Sequence, residues 1–202
     1  MKDNSLKPDK LFNSPFLERM THTNSFVVIG VLSSLGLLLF GYGIWLYHMA
    51  LLQSFLLFIF GLFVFTFVEY ALHRFVYHSG PDYKNPENWQ YIIHGVHHVY
   101  HKDKDRLAMP LPLALLLSLG FYGIFYMIMG LKATVFFPGF IIGYSTYLYI
   151  HYMIHAIKPP KNVFRYLWHH HLKHHVDKYE NTAFGVSSPL WDIVFGTMPD
   201  KK

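Results

Sequence analysis

The sequence predicts an all-α integral membrane protein: four transmembrane helices in two hairpins, with a cytosolic helical cap holding a histidine dimetal site. Three observations predict it. Four long runs contain no Asp, Glu, Lys or Arg. All but one of the 17 basic residues fall on one side of those runs. Ten of the 15 histidines lie in four clusters with mostly helical spacing.

Hydrophobic residues make up 52% of the 202 positions and charged residues only 14%, against about 25% charged in a soluble domain. A chain of this length supports one domain and little more. The net charge of +5 is not gathered into a stripe, so nucleic acid is not an expected partner. With no cysteine, disulfides and thiolate metal sites are excluded. Residues 1–25 mix charge, Pro and Asn without the apolar core of a secretory signal. They read as a cytosolic tail with an interfacial turn around Leu11–Met20. Residues 26–202 then form a single membrane domain.

The first span is expected at 26–47, 22 uncharged residues that as a helix reach about 33 Å, enough to cross a bilayer. The second, 49–68, ends at Glu69. The third, 107–131, contains Met109-Pro110-Leu111-Pro112 near its start, where the first helical turn has no N–H partner to lose. The fourth, 133–157, carries Pro138 inside and His151 and His155 near its end. Buried core helices are the alternative, but too little polar sequence remains to cover four such runs.

Basic residues orient the spans. The tail carries four, segment 69–106 five and segment 158–202 seven, leaving Lys132 alone on the other side. Both termini and both long polar segments are therefore expected in the cytosol.

The clusters are His73 with His78; His94, His97 and His98; His151 with His155; and His171, His174 and His175. Residues three and four apart share a helix face, so the last three clusters can each point at one place. His73 and His78 are five apart, about 140° round a straight α-helix, which suggests that the helix unwinds near Tyr77–Ser79. Neutral imidazole ligates Zn, Fe, Cu and Ni. Ten of them exceed one four-coordinate zinc, whereas two metals with about five nitrogens each would use all ten. Unrelated surface histidines or a loose metal buffer are the bland alternative, and two identical HxxHH patterns argue against it. His22 and His48 are isolated, and His101 lacks the cluster spacing. His169 and His170 extend the last cluster on other faces, as solvated, orienting or alternative ligands.

In this order, HxxxxH, HxxHH, HxxxH, HxxHH, the clusters resemble the fatty acid hydroxylase superfamily of membrane di-iron proteins. The flanks Glu69-Tyr70-Ala71-Leu72-His73-Arg74-Phe75, Asp103 with Arg106-Leu107 and Met109-Pro110, and Phe184-Gly185-Val186-Ser187-Ser188-Pro189-Leu190-Trp191-Asp192 with Phe195-Gly196-Thr197 are similar to its fatty acid 2-hydroxylase branch, which acts on sphingolipid acyl chains. The likeness covers roughly 50–198. The chain departs from that branch at Leu148, where an acidic residue is usual, and at His101-Lys102, where a Pro-rich turn is usual.

The resemblance implies a lipid acyl substrate, O2 and two iron ions held by the ten histidines, with zinc an alternative occupant of purified protein. It implies 2-hydroxylation of a fatty acid or sphingolipid N-acyl group. The same histidine set serves sterol and carotenoid hydroxylases and desaturases, and a metal-binding or metal-transport protein is the reading from another class. Glu69, Asp103 and Asp192 are candidates to orient imidazoles through their outer N–H, with helix capping or surface charge as the plainer role. No His-Pro-Gly-Gly haem motif occurs, so a separate electron donor of cytochrome b5 or ferredoxin type is expected, with no bound haem. The ending Met198-Pro199-Asp200-Lys201-Lys202 lacks dilysine spacing, which leans toward a bacterial inner membrane over the endoplasmic reticulum.

Overall fold

The computed structural model describes residues 10–80 and 82–200. The start of the expected tail and the terminal Lys201-Lys202 lie outside them. Among the described residues every regular element is helical.

Helix α1 (Pro15–Thr21) falls where the interfacial turn was expected, capped by the Ser14 side chain. Asn24 then caps α2 (Ser25–Tyr47), accepting from the backbone N–H of Phe26 and Val27. α2 ends on His48 in the left-handed region (φ 46°), and two residues later α3 (Leu51–Leu72) begins. α3 starts two residues after the expected span and continues as a π-helix over His73–Tyr77. A second π-helix, Tyr91–Gly95, leads into the short α4 (Val96–Val99). α5 (Leu111–Met129) starts later than expected, because Leu107–Met109 lie outside any helix and Pro110 takes the N-cap. Gly130, at φ +57°, makes a backbone turn that an L side chain resists. A 3-10 turn over Gly130–Lys132 then starts α6 (Ala133–Ala156). α7 (Arg165–His174) and α8 (Leu190–Val194) follow.

Three stretches are long and apolar enough to cross a membrane: Ser25–Tyr47, Leu51–Tyr77 and Lys104–Ala156. The sequence predicts four spans; the third stretch joins two of them, α5 and α6, through the turn at Gly130. Apolar side chains such as Leu38, Trp45, Leu51, Met127 and Ile128 point outward and are exposed, as suits surfaces whose solvent is lipid. These helices form a membrane protein.

α6 is the central post. Residues 133–141 are buried throughout, packed mainly against α2 and α3 and also against α5. The α3 crossing is backbone to backbone. A Cβ on Gly61 would strike the Phe136 carbonyl, and one on Gly139 the Phe58 carbonyl. Small residues permit this approach where no hydrophobic force separates lipid from helix. Above the crossing, Phe65, Phe140, Ile141 and Leu148 join Val28, Leu32 and Ala114 in the core. The polar segments gather over the C-terminal ends of α3 and α6. There α8 packs on α3, with the Trp191 indole donating to Thr66 (2.9 Å), and the Trp168 indole of α7 donates to the Ile157 carbonyl (3.1 Å).

Overpacking a tight contact costs roughly 1–3 kcal/mol or more. Gly139→Leu should therefore lower the thermal midpoint of detergent-solubilised protein sharply. Gly120→Ala, where a Cβ meets nothing within 4 Å, should leave it nearly unchanged. Equal midpoints for the two variants would contradict the α3–α6 contact described.

Candidate metal centre

Each histidine cluster lies where two structural elements meet. The π-helix at the end of α3 resolves the five-residue spacing of His73 and His78: the helix widens over His73–Tyr77 and then ends, at the place where unwinding was expected. The His78 N–H donates to the His73 carbonyl five residues back (3.2 Å), so one extra residue per turn brings both rings to the same side. His94 ends the second π-helix, and α4 carries His97 and His98. The last two turns of α6 present His151 and His155, and α7 presents His171 and His174, with His175 at its C-cap.

The structure brings all ten together, in two groups of five that could each hold a metal ion. His73, His78, His94, His98 and His174 form one group, and His97, His151, His155, His171 and His175 the other; within each group one nitrogen per residue lies within 4.8 Å of the rest. Closest Nε2–Nε2 pairs are 2.9–3.1 Å apart: His73–His94, His94–His98 and His78–His174 in the first, His97–His151, His155–His171 and His171–His175 in the second. Ligands at about 2.1 Å from one ion stand roughly 3 Å apart when adjacent.

Hydrogen bonds fix the tautomers of three rings in the first group. A carbonyl only accepts, so His73 Nδ1–H donates to Phe184 C=O (2.6 Å) and His174 Nδ1–H to Thr182 C=O (2.8 Å). Tyr83 donates its hydroxyl to Glu180 (3.2 Å) and so accepts from His98 Nδ1–H (3.4 Å). Each of these rings therefore aims a bare Nε2 lone pair inward. The bare nitrogens of His73 and His98 both approach His94 Nε2, which has at most one proton to share between them. A common cation satisfies the whole set, so these residues fit a metal.

Burial pushes the imidazole pKa values down. For His94, His97, His98, His171, His174 and His175 it holds them well below the ordinary value, reinforced by neighbouring rings. His78, desolvated and facing His73 and Lys84, is lowered to about 2. All seven are neutral at pH 7, as ligands must be.

The three candidate carboxylates lie elsewhere, and this corrects their expected role. Among the described residues none is hydrogen-bonded to one of the ten imidazoles. Glu69 reaches across to the C-terminal loop, where its carboxylate accepts from Val186 N–H (2.7 Å), Ser187 N–H (2.9 Å) and the Ser187 hydroxyl. Asp192 accepts from Phe184 N–H (2.9 Å), Gly185 N–H (2.8 Å) and the Thr197 hydroxyl (2.7 Å), and pairs with His170 (3.0 Å). Both therefore hold the loop whose Phe184 carbonyl holds His73, one step farther out than expected. Asp103 pairs with Arg106 (3.4 Å) and caps the Asp105 N–H. His170 is buried on Asp192, and His169 accepts from Arg165 (2.9 Å) at the surface. His22 lies beside Glu18 and Arg106, and His101 packs near His155 and His175.

Tyr83, Glu180 and the carbonyls of Phe184 and Thr182 carried no histidine-like signal in the sequence. Tyr77 stacks on His94 and Tyr147 on His151. An apolar cavity of about 90 Å³ reaches from His73 down among α3, α5 and α6, lined by Phe65, Leu117, Phe121 and Phe140. A larger one, about 420 Å³, opens from His94, His97 and His151 toward α1. Tyr77, Met109, Tyr144 and Tyr147 line both.

A family model for fatty acid hydroxylase matches residues 58–197. The chain is 39% identical over 147 residues to the dihydroceramide fatty acyl 2-hydroxylase FAH1 of Arabidopsis thaliana, covering 70% of this chain and 60% of that protein. It is 37% identical over 186 residues to the ceramide very long chain fatty acid hydroxylase SCS7 of Saccharomyces cerevisiae, covering 90% and 47%. With the fatty acid 2-hydroxylase of Mus musculus it shares 38% over 152 residues, covering 70% and 39%. A solved structure of full-length scs7p, with only the hydroxylase domain visible, aligns at a TM-score of 0.81 and 35% identity, over 92% of this chain and 70% of that one. The matched part is thus 39–60% of the three proteins' own length.

Protonation sets an acid limit. An unfolded imidazole titrates near pH 6.5, whereas these folded ones titrate lower. Below about pH 6.5 the unfolded chain therefore binds more protons than the folded one, and stability falls as pH falls. The thermal midpoint of metal-free protein should be flat from pH 8 to 7 and decline steadily toward pH 5. A midpoint independent of pH over that range would contradict the burial of neutral imidazoles.

Proposed function

The chain belongs to the fatty acid hydroxylase family, and on that premise we propose that it is an O2-dependent di-iron enzyme that hydroxylates a lipid acyl chain next to its carbonyl. The substrate is a fatty acid or a sphingolipid N-acyl group. The observation that carries this is the apolar cavity at His73, which joins the first of the two five-histidine groups to the interior of the membrane helices. The relatives' names, all of fatty acyl hydroxylases and two of the three of 2-hydroxylases, favour it over sterol or carotenoid chemistry and desaturation. A transporter would place its ligands near the midplane of broken helices. Here they gather at helix ends.

All ten clustered histidines act as ligands in this reading, five to each of two irons, with zinc an alternative occupant. Iron supplies the oxidising power that no side chain has. One O2, two electrons and two protons convert C–H to C–OH and release one water. The protein's own work is positional. Phe65, Leu117, Phe121 and Phe140 hold the acyl tail. Tyr77, Tyr144 and Tyr147 crowd the reacting end and keep water away. The Phe184 and Thr182 carbonyls keep the Nε2 lone pairs of His73 and His174 turned inward. Electrons arrive from a separate donor of cytochrome b5 or ferredoxin type.

The topology we propose is four crossings in two hairpins, α2–α3 and α5–α6, with both termini and the histidine site cytosolic. The division of basic residues supports it. The eukaryotic origin of the relatives reported above supports the endoplasmic reticulum over a bacterial inner membrane.

His97→Ala, His151→Ala and His174→Ala should each abolish formation of 2-hydroxy acyl lipid and lower bound metal from two ions per chain. His48→Ala and His169→Ala should change neither. One metal per wild-type chain, or full activity in any of the first three variants, would overturn the two-metal reading. Unchanged 2-hydroxy lipids alongside altered sterols in expressing cells would overturn the substrate.

A further inference from the structure

The larger cavity has an outer wall that the metal site does not need. Leu11, Phe12, Leu17, Met20 and Thr21 form it, opposite His94, His97 and His151. One carboxylate organises this wall. Glu18 Oε2 accepts from the N–H groups of Leu11 (2.8 Å) and Phe12 (3.0 Å), closing residues 11–18 into a loop. Glu18 Oε1 meets Arg106 Nη2 at 2.7 Å, with both side chains largely buried, at 14% and 5% exposed. Arg106 Nε donates to the Thr21 hydroxyl (3.3 Å), and Thr23 N–H to the Asp105 carbonyl (2.7 Å). Glu18 thus folds the segment and fastens it to the rest of the protein.

Oxidation next to a carbonyl divides a lipid unevenly. The long tail lies on one side of the reacting carbon and the head-group end begins one bond away on the other. The inner cavity at His73 reaches down among the membrane helices α3, α5 and α6, the side from which a tail comes. The compartment under residues 11–21 is then where the head-group end sits. Arg106 lines that compartment, but Glu18 and Asp103 already match its charge. An unmatched carboxylate entering there would be desolvated without a counter-charge, which is costly.

We propose that the Leu11–Thr21 segment is the head-group wall of the substrate site, and that the Glu18–Arg106 pair is a charge lock that admits neutral, amide- or ester-linked acyl lipids and turns away free fatty acid anions. The proposal rests on the acyl-hydroxylase reading above and adds to it the class of head group.

The test uses zinc-loaded full-length protein in detergent, with palmitate and N-palmitoyl-sphinganine as probes. It reads binding, together with trypsin cleavage after Arg19, which is exposed. In the wild type the amide lipid should bind better than palmitate and should slow cleavage. Cleavage of a transiently opened segment follows its opening equilibrium, and removing one partner of a buried pair is strongly destabilising. Glu18→Gln should therefore speed cleavage without lipid about tenfold or more. It also leaves Arg106 with less matched charge, so the ratio of palmitate to amide-lipid binding should rise about tenfold, worth about 1.4 kcal/mol. Met20→Ala, which opens the wall without touching a charge, should widen tolerance for bulkier head groups and leave that ratio alone. Failure of the amide lipid to protect Arg19, or an unchanged ratio in Glu18→Gln, would overturn the proposal. Binding needs no turnover, so protection by lipids that the iron-loaded protein, given O2 and electrons, fails to oxidise would refute the hydroxylase reading and leave the wall standing.

Discussion

Ten imidazoles turning ring nitrogens on one another is the constraint on which the rest of the structure depends. A buried nitrogen acceptor without a partner costs about 1–3 kcal/mol, and here the Nε2 atoms crowd to within 3 Å of one another. The polar segments over α3 and α6 are held besides by the hydrogen bonds of Glu69 and Asp192 and by a small apolar cluster of Ile154, Trp168 and Val186. A site that repels itself when empty and binds cations when filled couples ion binding to folding. The membrane helices meet through close backbone contacts that involve none of these rings, whereas the cap is built around them.

The two HxxHH segments link the halves of the site. In each, the residues four apart serve one group and the intervening third residue serves the other. His94 and His98 sit in the first group while His97 sits in the second; His171 and His175 sit in the second while His174 returns to the first. A helix places i and i+4 about 40° apart and i and i+3 about 60° the other way. Two targets a few ångströms apart can therefore be served from one face. Each segment belongs to both groups, so displacing either helix disturbs both. The π-helix before α4 and the one after α3 adjust helix phase by one residue where an α-helix would carry His94 and His78 past their partners.

Much of this was legible in the sequence, and the limits follow from the chemistry. Charge-free runs located α2, α3, α5 and α6, because apolar length is a local property. The four clusters marked the residues that converge. The five-residue gap between His73 and His78 pointed to an irregular helix end near Tyr77–Ser79, where the helix does end, but not to the widening over His73–Tyr77 that precedes it. What spacing could not reveal was the layer behind the rings. His73 and His174 rest on backbone carbonyls, and a carbonyl has no residue identity to read. Glu69 and Asp192 drew attention as carboxylates near histidines, but they act on backbone N–H groups of the Phe184–Ser187 loop. Asp103 was flagged by the same logic and answers to Arg106 instead.

The loop also explains why a chain with so few charges buries two carboxylates together. Phe184, Gly185, Val186 and Ser187 present four successive N–H groups with no helix or strand to receive them. Buried backbone donors must be satisfied. Asp192 takes the first two and Glu69 the next two, and with their side-chain partners each carboxylate exchanges hydration for three or four donors. A neutral amide in either place would meet N–H groups with an N–H of its own on one side and leave donors unpaired. The carbonyls of this stretch are then free to face the other way, and Phe184 C=O turns to His73 Nδ1. The carboxylates thus direct the metal-site ring without touching it, by fixing which way a peptide plane points.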